Sequence, residues 1–212
     1  VDTEIEVSDE ELVAMNVDKG MMTLVDAARQ SEMLAHLSDR LIRANHASGG
    51  SAGNSMIATA LLGAPTYMSC KVAQDEDGDI YLADLEQSGV THGLSHQRQE
   101  GVTGKCLVLI TPDAERSLNT NLAISETLSI DEVNETAIQD SEWVYLEGYQ
   151  VTSPTGHAAA LKTKALAQKH RALTAVSFSD PGMVKFFREN MAAMVEGGVE
   201  MVFCNQAEAL EW

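Results

Sequence analysis

The stretch that decides the fold is Ser48–Ala64, SGGSAGNSMIATALLGA. Its apolar residues Met56, Ile57, Ala60, Leu61 and Ala64 recur at helical spacing, so the glycines before them sit at a helix N-terminus. There the first backbone N–H groups lack intrahelical partners and point outward. Gly49 and Gly50 carry no Cβ, so a ligand can approach the main chain closely, while Ser51 and Asn54 put short polar side chains on the first turn. A Gly-Gly pair alone describes an ordinary loop entering a helix equally well. Its meaning depends on what surrounds it.

What surrounds it is alternation of strand and helix. Upstream, SDEEL at Ser8–Leu12 carries an N-cap with acids in the first turn. A helix pattern starts at Thr23, with Leu24, Val25, Ala28, Met33, Leu34 and Leu37 on its apolar face, and Leu41–Ala44 reads as a short strand before the glycines. Downstream, Pro65 breaks the pattern and Thr66–Ala73 reads as a buried strand. The acidic run from Asp75 to Asp79 suits the start of a helix over Ile80–Gln87; it lacks the spaced carboxylates and distal Glu of a calcium loop. Leu107–Thr111 and Ser117–Ile124 are β-type runs joined by Pro112, Asp113 and Ala114, a hairpin expected to project from the main sheet.

Alternation then resumes. Ile130–Gln139 reads as a helix, Trp143–Leu146 as a strand, and Ser153 and Pro154 start a helix reaching His170. Leu173–Phe178 is a strand, Pro181 opens a helix to about Glu196 ended by Gly197 and Gly198, and Met201–Cys204 is a strand before a helix start at Gln206. Repeated βαβ units imply an α/β fold, a mostly parallel sheet flanked by helices. Such sheets bind ligands beyond the carboxyl ends of their strands, where Asp2, Glu147 and Asn205 are expected to share one rim.

The totals narrow the function. The chain has 212 residues, enough for one sizeable α/β domain, and a formal net charge of −18, which repels nucleic acid. No apolar run is long enough to cross a bilayer and no leader peptide opens the chain, so a soluble, cytoplasmic protein without a membrane partner is expected. Cys70, Cys106 and Cys204 lack metal-ligand spacing and are expected as reduced, buried thiols.

Four pieces together resemble the ribokinase-like (PfkB) carbohydrate and nucleoside kinases, most closely the adenosine kinase branch. They are GGSAGNSMIATALLGA followed by TYMSCKVAQDEDGD, then TGKCLVLITPDAERSLNTNLAIS, YLEGYQVTSP and the N-x-x-E motif in FCNQAEAL. The resemblance implies a three-layer Rossmann-like ribokinase fold with a small β-hairpin lid: an α/β core over 1–92 and 129–212 and a lid insertion over 93–128. It implies transfer of the γ-phosphate of ATP, with Mg²⁺, to a primary hydroxyl of a ribose-containing substrate, adenosine or a related nucleoside. A kinase for a free pentose or other sugar is the alternative within the family, and a non-catalytic nucleoside-binding domain the alternative of another class. By the same resemblance Asp2, Gly49, Gly50, Ser51, Asn54, Cys106, Leu118 and Glu147 bind substrate. Arg116 and Asn205 serve ATP, and Glu208 supports Mg²⁺ through water.

Ser51, Cys106 and the lid sequence favour a nucleoside. Glu147 resembles the sugar-kinase branch instead, and Tyr149 could stack on a base or cap the sheet edge. The family's G-A-G-D motif, whose Asp is the general base, does not occur here. The chain is therefore expected to be an internal piece of a longer kinase, inactive alone, with its base beyond Trp212. Either a monomer or a lid-mediated homodimer is expected.

Overall fold

Acidic and apolar side chains alternate along the first strand, β1 (Asp2–Glu6), the pattern of a sheet with one dry side. The computed structural model describes residues 1–37, 45–94 and 98–212. Ser8 and Glu11 form a reciprocal capping box that starts α1 (Asp9–Ala14). β2 (Met22–Leu24) precedes α2 (Ala27–His36), N-capped by Asp26. The helix expected from Thr23 thus begins only at Ala27, because Met22, Thr23 and Leu24 are drawn into pairing with residues 118–120. The strand expected over Leu41–Ala44 lies outside the described residues.

β3 (Asn45–Ala47) leads to α3 (Ser51–Leu61), whose N-cap is Gly50 at φ 86°. Of the expected apolar face of α3, Met56, Ile57 and Ala60 pack inward, while Leu61 is exposed. β4 (Thr66–Met68), α4 (Glu76–Gln87, capped by Asp75) and β5 (Val90–His92) follow. The strand expected to run on to Ala73 stops at Met68. Beyond it, the Ala73 and Gln74 N–H groups donate to Thr103 Oγ1 and the Gln99 carbonyl instead.

β6 (Lys105–Ile110) and β7 (Arg116–Asn121) form the expected hairpin, followed by 3-10 turns at Ala123–Thr127 and Ile130–Glu132 and by α5 (Glu135–Gln139). The single helix expected over Ile130–Gln139 is split because Asn134 leaves helical geometry to cap the second piece. β8 (Trp143–Leu146), a 3-10 turn at Gly148–Thr152, α6 (Pro154–His170) and β9 (Leu173–Ser177) come next. The chain then runs through α7 (Pro181–Phe186), α8 (Arg188–Val195), β10 (Met201–Phe203) and α9 (Gln206–Glu211). Phe187 breaks the helix expected from Pro181 to Glu196.

The hairpin lies in a five-stranded sheet of order β2-β7-β6-β1-β3. One face is dry: Ile5, Val7, Leu107 and Leu109 pack there against Leu12 and Met15, contributed by α1 and its C-cap, and Met33 from α2. The register pairs Asp2 with Cys106, Glu4 with Val108, Val108 with Leu118 and Cys106 with Thr120, so these residues share the opposite face. β10, β9 and β8 form a three-stranded parallel sheet in that order. Val144, Leu146 and Val176 pack there with Leu166, Met183, Val184, Met191 and Met194 from α6, α7 and α8. Met22 of β2 packs against this core, so the two sheets meet. Cys204, expected buried, is exposed, as is all of β10.

Candidate functional site

Glu147 follows β8 and Asn205 follows β10, with β9 between those strands. They share the carboxyl rim of the parallel sheet, two strand spacings or roughly 10 Å apart. Asp2 does not belong to that rim, which corrects the sequence reading: it opens β1, in the other sheet. The segment Gly49–Ala52, entering α3, joins the two places.

On one side of that segment, Asp2 presses against Gly49. A Cβ at residue 49 would stand 2.0 Å from Asp2 Oδ1, so any side chain there would have to displace the Asp2 carboxyl from its place. The turn is anchored from below, where the Ser48 N–H donates to Asp84 Oδ2 at 2.7 Å. On the other side, the Ser51 hydroxyl and the Ala52 N–H face the Glu147 carboxyl. Ser179 Oγ donates to Glu147 Oε1 at 2.7 Å, whereas the buried Oε2 has no hydrogen-bond partner among the described residues.

Both carboxyls are electrostatically unsettled. Burial pushes Asp2 above the usual carboxylate range; the adjacent N-terminal amine opposes this, Glu4 adds to it and Arg116 opposes it more weakly. Burial likewise raises Glu147, against the opposing pull of Ser179, Ser51 and the Ala52 N–H. A ligand that donates hydroxyl hydrogens would supply what water no longer supplies and favour the ionised forms.

The lid side is softer. The Cys106 thiol, raised by burial, accepts a hydrogen bond from Thr120 Oγ1 at 3.3 Å, and half-buried Leu118 lies beside Val108 on the same face. Tyr149, in the turn after β8, packs against the core of the parallel sheet. Burial raises its phenol, with Asp180, Glu147, Glu208 and Cys106 adding to the effect, and its hydroxyl donates to the Ser179 carbonyl at 3.3 Å.

The remaining candidates are more dispersed. Asn54 is exposed one turn beyond Ser51 on the same helix face, its N–H bonded to the Gly50 carbonyl at 3.0 Å. Arg116 is exposed at the start of β7, 3.7 Å from Glu4. Asn205 and Glu208 serve one another: Asn205 Oδ1 accepts from the Glu208 N–H at 2.8 Å, and Glu208 Oε2 accepts from the Asn205 N–H at 3.0 Å. These two bonds leave Glu208 Oε1 and a second lone pair on each bonded oxygen free. Among the described residues no group of three His, Cys, Asp or Glu side chains could hold a metal ion. The pair alone offers a single carboxylate, which suits Mg²⁺ that keeps several of its waters. No helix among the described residues is long and apolar enough to cross a membrane.

Sequence reading missed Ser179, which touches both Glu147 and Tyr149. A signal existed: Ser179 lies in the loop beyond β9, between the two strands whose ends were singled out.

Comparison with known proteins places this geometry. Residues 15–212 match the pfkB family of carbohydrate kinases. The solved structure of a probable sugar kinase from Rhizobium etli superposes with a TM-score of 0.90 at 30% identity, covering 99% of this chain and 63% of that one. Adenosine kinase from Sinorhizobium meliloti gives a TM-score of 0.89 at 30% identity, with coverage of 99% and 63%. An uncharacterized sugar kinase of Archaeoglobus fulgidus is 27% identical over 88 residues, 42% of this chain and 35% of that protein. The chain thus spans under two thirds of the length of the relatives it matches. With the family model matched over residues 15–212 and the α/β framework shared with these solved structures, the chain belongs to the pfkB family of carbohydrate kinases.

Proposed function

We propose that the protein carrying this chain transfers the γ-phosphate of ATP to a primary hydroxyl of a ribose-containing small molecule, with adenosine or a related nucleoside as substrate. One observation carries the reading: Asp2 and Glu147, both half-buried and both raised by burial, flank the Gly49–Ser51 turn, beside the sheet face that carries Cys106, Val108 and Leu118. Asp2 accepts hydrogen bonds from vicinal sugar hydroxyls, and Gly49 and Gly50 let the ring approach the main chain. Ser51 and Asn54 supply neutral donors and acceptors along one helix face. Cys106, Val108 and Leu118 close over the base, with Tyr149 opposite; that apolar lining suits a nucleobase better than water-filled space.

Phosphoryl transfer needs charge neutralisation and alignment more than covalent help from the protein. Mg²⁺ supplies the neutralisation when bound with ATP. Arg116 suits phosphate oxygens by its planar fork, and Asn205 with Glu208 hold the nucleotide-side rim in shape. A second reading, a kinase for a free sugar, is favoured by Glu147: its unpartnered Oε2 asks for another hydroxyl, which a free sugar supplies readily.

The test uses the product of the complete gene. Calorimetric titration with adenosine, inosine, guanosine, ribose and fructose, followed by detection of the phosphorylated product with ATP and Mg²⁺, separates the readings. Binding and phosphorylation of adenosine support the first. Binding of ribose alone selects the second. Nucleoside binding with no product in the complete protein identifies a sensor instead of an enzyme.

A further inference from the structure

Ser179 stands in the left-handed region, at φ 67°, in the loop between β9 and α7. A non-glycine residue there marks a place where the surroundings impose the conformation. Its hydrogen bonds show what that conformation accomplishes. The hydroxyl donates to Glu147 Oε1 at 2.7 Å and accepts the Gly148 N–H at 2.9 Å. The carbonyl accepts the Tyr149 phenol at 3.3 Å, and the Ser179 N–H donates to Ser177 Oγ at 3.1 Å. One residue thus holds the three consecutive residues that follow β8. The two loops are also sterically locked: a Cβ at Gly148 would come within 2.4 Å of the Ser177 carbonyl oxygen.

With Oε1 tied to Ser179, Glu147 cannot turn freely; Oε2 is buried with no hydrogen bond of its own among the described residues, while the Ser51 hydroxyl and the Ala52 N–H at the entrance of α3 pull on the carboxyl. We infer that Ser179 is a positioning residue: it fixes the Glu147 carboxyl so that Oε2 is presented to a ligand hydroxyl, and sets the Tyr149 ring across from the lid. The inference rests on the proposed sugar-hydroxyl role of this site. Its first readout is nevertheless independent of any ligand.

That readout is the titration of the Glu147 carboxyl, followed by carbon-13 NMR in the parent and two variants. The titratable groups that face it are the phenols of Tyr145 on β8 and Tyr149 on its own loop; α3 presents the neutral Ser51 and the Ala52 N–H. Ser179→Gly removes the hydroxyl and relaxes the backbone; Ser179→Ala removes the hydroxyl and retains the strained conformation. In both, loss of the donor moves the Glu147 midpoint upward.

Adenosine affinity falls about tenfold in both variants at neutral pH, with the acid limb of its pH dependence displaced upward. A purely structural serine predicts otherwise: the glycine variant would match the parent and only the alanine variant would suffer. An unmoved Glu147 midpoint in Ser179→Gly overturns the inference whatever the substrate. A moved midpoint together with no nucleoside or sugar binding by the parent refutes the proposed function and, with it, the ligand-presenting half of the inference, while the hold on Glu147 stands.

Discussion

Two carboxylates in this molecule meet the N-terminus of a helix, with opposite outcomes. Glu208, on the first turn of α9, is buried and answered: its Oε2 takes the Asn205 N–H, and its own N–H is taken by Asn205 Oδ1. Glu147, opposite the first turn of α3, is hydrogen-bonded through one oxygen, while the other has no hydrogen bond among the described residues and feels only the weaker pull of Ser51 and the Ala52 N–H. A buried polar atom without a partner is costly, so folded chains rarely keep one for structure alone. The contrast separates a residue that completes a helix from one whose hydrogen-bonding capacity is only partly used.

The strongest way to break the comparison is to disturb the turn between the two carboxyls of the site. Gly49→Ala forces a methyl group into the Asp2 carboxyl, and nucleoside affinity falls on the order of 100-fold, as expected when a positioning contact moves by an ångström. Folding stability drops by about 1–3 kcal/mol, read by urea denaturation. Unchanged affinity would remove Asp2 from the site.

Glu147→Gln comes next. Loss of a charged acceptor weakens binding by about 10–100-fold in calorimetry. Stability moves the other way. Glu147 has a raised folded pKa, so its favourable contribution is full below the unfolded value and is lost as pH rises through the folded one. The glutamine variant is therefore more stable than the parent at neutral pH, and the advantage disappears on acidification. A variant less stable at pH 7 would show that the ionised carboxyl is satisfied after all.

Glu208→Ala sharpens the contrast from its other half. It costs about 1 kcal/mol of stability through the lost cap, and leaves nucleoside affinity unaltered. The smallest effect belongs to Arg116→Ala. Its exposed 3.7 Å pairing with Glu4 contributes under about 0.5 kcal/mol, so the melting temperature barely moves, while the KM for ATP rises and nucleoside affinity holds.

Much of this was legible in the residues because local chemistry decided it. Ser153 with Pro154 fixed the start of α6, and β-branched and aromatic residues between turns fixed β8. What was misread was decided at long range. Thr23 and Leu24 look helical until Asn119 and Thr120 pair with them from far along the chain. Phe187 breaks a helix with nothing in its own identity to announce it. Within the site, Gly49, Ser51 and Glu147 were readable as types that suit hydroxyl recognition, and the structure brings them together. Asp2 was assigned to the wrong sheet, since sequence order cannot reveal that β1 pairs with the hairpin. Ser179 was missed because its importance lies in a backbone angle and two partners from another loop, neither of which a serine advertises.

The alternation along β1 carries a genetic consequence. Asp2, Glu4 and Glu6 look toward the lid's open face while Ile5 looks into its core. Sliding this strand by a single residue against Cys106–Ile110 would swap those roles, driving acids into oil and oil into water. A substitution at Glu4 or Glu6 leaves the pairing register intact, but an insertion or deletion within β1 would exchange the two faces of its sheet.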